Sequence, residues 1–144
     1  MTKLPQPLAA TTKAFLADAG PRLADLCTGC GACFRACPMT AHVATLAGAE
    51  SAAVTLGLKA LANGLTGPPE TVAWVGVCAK SGLCVAACPE REKGLDAMLL
   101  VRIARQRAIN DTHQISPKAD THGFPRVKTF ARLQLTDEEI ERWL

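Results

Sequence analysis

Seven cysteines fall in two short runs, and their spacing constrains this 144-residue chain more than any other feature. The first run reads CTGCGACFRACP over residues 27–38, and the second reads CAKSGLCVAACP over residues 78–89. A shift of 51 positions lays Cys27 on Cys78, Cys33 on Cys84, Cys37 on Cys88 and Pro38 on Pro89. Only Cys30 fails to match, because it meets Ser81. The runs are an internal repeat of one binding unit with one ligand changed.

An odd number of cysteines argues against a disulfide framework. So does an N-terminus whose Lys3 is followed by no apolar run, from which no secretory signal is expected. Reduced thiolates holding a metal group in the cytoplasm are the expectation. Thiolates at i, i+3 and i+6 converge when the chain wraps a metal group in a tight loop, and Gly29 and Gly31 relieve crowding there. The pattern C-x2-C-x2-C-x3-C-P is the run of two-cluster iron–sulfur proteins, in which the fourth cysteine ligates the other cluster. Zinc is the competing reading. Structural zinc takes four ligands, commonly two C-x2-C pairs across a longer loop. Seven cysteines do not divide into fours, and zinc leaves both Cys-Pro endings unexplained.

Crossed ligation assigns every cysteine. One cluster takes Cys27, Cys30, Cys33 and Cys88, four thiolates and hence [4Fe-4S]. The other takes Cys37, Cys78 and Cys84, with Ser81 at the fourth position. The preferred reading of Ser81 is a vacant ligand slot beside a [3Fe-4S] cluster, which needs only three thiolates. A second [4Fe-4S] cluster with the Ser81 oxygen or water on its fourth iron is an alternative, as is a degenerate or empty site. A serine oxygen is harder and far less acidic than a thiolate, so such an iron would be labile.

The rest of the chain reads as helical, with very little strand. Helices are expected over residues 12–19 and 21–26, over 48–63 with a stop at Asn63-Gly64, from Glu70 into Cys78, and over 95–109. Residues 110–125 read as a long polar loop, and Thr136 with Glu139 forms a capping box ahead of a last short helix. The expected division is a two-cluster domain over 1–110 and a loop and tail over 111–144, docking on the domain or on a partner. Charged residues interrupt every apolar stretch, so no membrane span is expected, which leaves room for peripheral association. A net charge of +3 and 4% aromatics with no tyrosine give no footing for nucleic acid.

These residues resemble the C-terminal helical ferredoxin domain of succinate dehydrogenase and fumarate reductase iron–sulfur subunits, over roughly residues 26–109. That domain also carries C-x2-C-x2-C-x3-C-P followed by C-x5-C-x3-C-P, and Lys93-Gly94-Leu95-Asp96 echoes it. The small iron–sulfur subunit of heterodisulfide reductase is similar, but it usually keeps a cysteine where Ser81 stands. The resemblance implies an all-α, α-helical ferredoxin fold with a short N-terminal helix and an extended tail, pairing a [4Fe-4S] with a [3Fe-4S] cluster. Met39-Thr40-Ala41-His42 replaces the family's tryptophan near its quinone. The implied role is therefore a relay for flavoprotein or heterodisulfide-reductase-like partner subunits, electron transfer without catalysis of its own.

Two alternatives stand beside the relay: an iron or redox sensor with a labile second cluster, and an aconitase-like Lewis-acid enzyme. His42 is read as a surface histidine or a proton-coupling group near the second cluster. Asp111-Thr112-His113 and Asp120-Thr121-His122 read as polar loop before metal site. Trp74 reads as core packing or as a shield for the second cluster. Arg102, Arg105, Arg107, Lys118, Arg126, Lys128 and Arg132 read as a solvated strip or a docking surface for an acidic partner.

Overall fold

The structure is a computed structural model that describes residues 11–110 and 123–143. Eight α-helices occur among these residues: α1 (Thr12–Leu26), α2 (Ala32–Ala36), α3 (Ser51–Ala62), α4 (Pro69–Gly76), α5 (Leu83–Ala87), α6 (Ala97–Asn110), α7 (Gly123–Ala131) and α8 (Asp137–Trp143). Short 3-10 turns at Thr40–His42, Ala44–Leu46 and Arg91–Lys93 complete the regular structure, and no strand occurs among the described residues. The chain is thus all-α, as its patterning requires. No helix among the described residues is long and apolar enough to cross a membrane.

Local side chains set most of the boundaries. Thr11 caps α1 by accepting from the Ala14 N–H at 3.1 Å. Glu50 caps α3 with both carboxylate oxygens, on Ala52 N–H at 3.0 Å and Ala53 N–H at 2.7 Å, so that helix begins at Ser51 rather than at 48. It stops at Ala62, where Asn63 caps it and Gly64 turns left-handed at φ 78°. Asp96 accepts from Leu99 N–H at 3.0 Å and starts α6 two residues later than its apolar spacing suggests. The capping box closes in both directions: Thr136 N–H donates to Glu139 at 2.8 Å, and Glu139 N–H donates to Thr136 Oγ1 at 3.3 Å.

Two expectations need correction. Residues 12–26 form one helix, not two, with Pro21 inside it. An internal proline costs a hydrogen bond and crowds the preceding turn. Here Leu16, Ala19, Gly20, Leu23 and Ala24 on either side of it make one continuous buried face, which holds the helix together. The stretch read as loop also ends early: Asn110 belongs to α6, and α7 already contains Gly123 to Pro125. Pro125 lies in the first turn of α7, where a missing N–H leaves no bond unmade. Residues 111–122, with both Asp-Thr-His triplets and Lys118, lie outside the described residues.

The core is built from small and aliphatic side chains. α3 lies against both α1 and α6, and α4 closes over α3 and α6. Leu16, Leu23, Leu58, Leu100, Ile103 and Val75 are almost wholly buried. Phe34 meets Trp74 edge to face at 5.3 Å, joining α2 to α4. The buried Thr71 hydroxyl donates to the Val54 carbonyl at 2.8 Å and ties α4 to α3.

Close approach replaces aromatic bulk in this core. A Cβ on Gly20 would collide with the Ala62 carbonyl of α3, and that backbone atom has no side-chain freedom with which to yield. Gly20→Ala is therefore expected to destabilise the protein, although alanine is the better helix former by about 1 kcal/mol. Overpacking costs about 1–3 kcal/mol. Net of the helix-forming gain, the loss reaches about 2 kcal/mol. At about 4 °C per kcal/mol, thermal unfolding followed by circular dichroism should show Tm lowered by up to about 8 °C.

Candidate metal centres

The two cysteine runs fold into loops of the same backbone shape. Gly31 (φ 80°) precedes α2 and Gly82 (φ 76°) precedes α5, both left-handed as a residue without Cβ allows. Each short helix then ends on its prolyl cysteine. Cys37 (φ −73°, ψ 121°) and Cys88 (φ −71°, ψ 120°) are extended, as a following proline demands. Their N–H groups donate to Phe34 and Val85 carbonyls at 3.2 and 3.3 Å. The repeat read from sequence is thus a repeat of conformation. It extends to Lys80, whose φ of 61° copies the 74° of its counterpart Gly29. A side chain in that region costs about 1–2 kcal/mol.

α2 packs directly on α5, so the prolyl cysteines are carried across to opposite loops. Cys27, Cys30, Cys33 and Cys88 line one cavity, walled by Leu58, Leu95 and Leu100. Cys37, Cys78, Cys84 and Ser81 line a second, walled by Met39, Trp74, Met98 and Val101. All seven cysteines are free thiols in one of these two places. Among the described residues, no three Cys, His, Asp or Glu side chains group closely enough to hold a single metal ion. The thiols line two pockets instead of converging on a point, and their all-sulfur chemistry suits iron–sulfur clusters.

Burial is uneven around these spaces. Cys27 and Cys33 are buried, Cys30 is exposed, and Cys37, Cys78, Cys84 and Cys88 are intermediate. Burial, with Cys27 beside it, pushes the Cys33 thiol up to about 12. Burial and the neighbouring Cys78 and Cys37 raise Cys84 to about 11. Cys27 is also raised by burial, opposed by the Gly29 N–H and the Lys59 ammonium. Without metal, these groups are neutral thiols. Metal loading must displace their protons.

The two loops differ in what backs them. Arg35 Nη1 donates to the Cys30 carbonyl at 3.1 Å and to Ser51 Oγ at 2.8 Å, and Lys59 Nζ donates to the Cys27 carbonyl at 2.6 Å. A Cβ on Gly31 would press on Ser51 and Arg35, whereas one on Gly82 would meet nothing within 4 Å. Ser81 is exposed, and its Oγ receives only a long 3.5 Å bond from Leu83 N–H.

The other residues singled out from sequence fall differently. Trp74 is 2% exposed and packs on Phe34, which makes it a core residue, and it also lines the second cavity. His42 lies on an open groove with Arg132, Leu135 and Asp137, outside the lining of the second cavity. Arg102, Arg105 and Arg107 belong to α6, and Arg126 and Lys128 to α7. Ile140 of the tail is buried, whereas Phe124 (56% exposed), Val127 and Phe130 are open to solvent. Sequence reasoning missed Lys59, Arg35 and Ser51. The one available signal was Lys59 itself, a lone cation in the apolar stretch 52–62.

Residues 26–92, just under half of the chain, match the family model described as a 4Fe-4S dicluster domain. That match spans both cysteine runs and supports an iron–sulfur, ferredoxin-like domain there, and with it an iron–sulfur electron-transfer protein. No curated protein and no solved structure matches the chain.

The raised thiols give a pH dependence. For an acid whose folded-state pKa exceeds the unfolded value of 9.0, the stability it contributes is complete below that value and is lost as pH rises through the folded one. Urea denaturation of the metal-free protein should show a stability that these thiols leave unchanged below pH 9. It should then fall between pH 9 and about 12, where Cys84 and Cys33 ionise.

Proposed function

We propose that the chain is an electron-transfer subunit of a larger oxidoreductase, relaying single electrons through a [4Fe-4S] and a [3Fe-4S] cluster. In this reading Cys27, Cys30, Cys33 and Cys88 hold the first cluster, and Cys37, Cys78 and Cys84 hold the second. The observation that carries it is the division of seven thiols into a cavity with four and a cavity with three plus an exposed serine. A [3Fe-4S] cluster needs three thiolates, and a hydroxyl is a poor substitute for the fourth. When bound, such clusters accept and release one electron at a time, over potentials of about −700 to +450 mV.

The chain's own residues supply the setting. The α2–α5 contact fixes the two sites in one body, so their separation does not vary as an interdomain distance would. Leu58, Leu95 and Leu100 keep water from the inner side of the first site, as Trp74, Met39 and Val101 do at the second. Exposed Cys30 and Ser81 leave each site one edge toward the surface, where partner subunits exchange electrons. By the resemblance of its cysteine runs, those partners are a flavoprotein or a heterodisulfide-reductase-like subunit. A second reading, an iron or redox sensor, draws on the open space beside Ser81 and Gly82. Fe(II) uptake coupled to binding of a target would favour it, and indifference to Fe(II) favours the relay.

Anaerobically purified protein should contain about seven irons and show the low-temperature EPR signal of an oxidised three-iron cluster. Ser81→Cys should raise the iron count by about one and remove that signal. About eight irons in the wild type, with signals only after reduction, would overturn the assignment of the second site. Cys88→Ala should abolish the four-iron signal and spare the three-iron one, and Cys37→Ala should do the reverse. The opposite pattern would refute crossed ligation.

A further inference from the structure

We propose that Lys59 raises the reduction potential of the first site, its ammonium making that cluster easier to reduce than a neutral side chain in its place would. The inference rests on the reading of the first cavity as a cluster site and adds to it a residue that holds no iron.

Three observations carry it. Lys59 Nζ donates to the Cys27 carbonyl at 2.6 Å, bringing a full positive charge to the backbone of a residue that lines the first cavity. The side chain comes from α3, 32 residues along the chain, and is half-buried, so solvent and salt screen its charge less than they would on the surface. The first loop is also backed by a second cation. Arg35 donates to the Cys30 carbonyl at 3.1 Å and corresponds under the 51-residue repeat to Ala86. Glu90, paired with Lys93 at 2.7 Å, also lines the first cavity and opposes Lys59 there, while the exposed Lys80 stands in the lining of the second.

The direction follows from electrostatics. Reduction adds one negative charge to a group already surrounded by thiolates. A nearby fixed cation stabilises the reduced form more than the oxidised form. Arg35 acts in the same sense but is exposed, so its contribution is weaker. Lys59 is thus a tuning residue acting through space and through the Cys27 carbonyl.

The test is an anaerobic redox titration of the cluster-loaded protein, following each cluster's EPR signal, in wild type, Lys59→Gln and Lys59→Arg. Glutamine removes the charge and retains an N–H donor for the carbonyl, whereas arginine retains the charge. Lys59→Gln should cut the reduced-to-oxidised ratio of the first site about tenfold at fixed potential, a downward shift of about 59 mV for one electron. The second site should hold its midpoint, and Lys59→Arg should stay near wild type. An unmoved first midpoint in Lys59→Gln with full iron content would overturn the proposal. So would equal shifts at both sites, which would mark a general loosening of the fold. Loss of the first cluster from both variants would also overturn it, making Lys59 a loop anchor. Wild-type protein that assembles no cluster would instead remove the underlying reading, a result visible before any variant is titrated.

Discussion

Each of the two cavities is completed by a cysteine arriving from the other half of the chain, and the contact of α2 with α5 carries both across. Both helices are five residues long, too short to be stable alone. A left-handed glycine fixes their starts, prolyl cysteines fix their ends, and their faces are fixed by each other, by α3 and α6, and for α2 by Trp74 of α4. The outer helices serve this centre: α3 backs the first loop, and α4 with α6 walls the second.

The thiols sit under a physical conflict that explains the cavities. Burial raises Cys27, Cys33 and Cys84, yet metal ligation needs thiolates. A protein fold alone resolves the conflict by keeping them protonated. Iron resolves it by neutralising several thiolates together. The core of small residues fits this scheme, because helices drawn close at Gly20 and Gly57 leave the bulk at the centre to be supplied by something other than side chains.

What was legible in the sequence was local or repeated. The 51-residue repeat fixed attention on two loops of equal shape, the capping box at Thr136 and Glu139 marked α8, and Asn63-Gly64 marked the end of α3. What was not legible depended on partners distant along the chain. The break expected at Pro21 is overridden by the single buried face of α1, a matter of what α3 presents to it. α7 was hidden because Gly123 and Pro125 are loop signals that also suit a helix start. The reach of Lys59 to Cys27 has no sequence signature beyond a charge in an apolar stretch, since nothing in spacing says where a long side chain ends.

The crossed lining of the cavities also bears on how such a chain could arise. A half-length ancestor with one loop, one short helix and one Cys-Pro end would leave its own cavity a wall short. It could be completed only by a second copy, each lending the other its terminal thiol. Duplication and fusion would then turn a symmetric pair into one polypeptide, free to let its halves diverge. Serine at 81 against Cys30, and lysine at 80 against Gly29, are differences that two identical twins could not hold and one fused chain can.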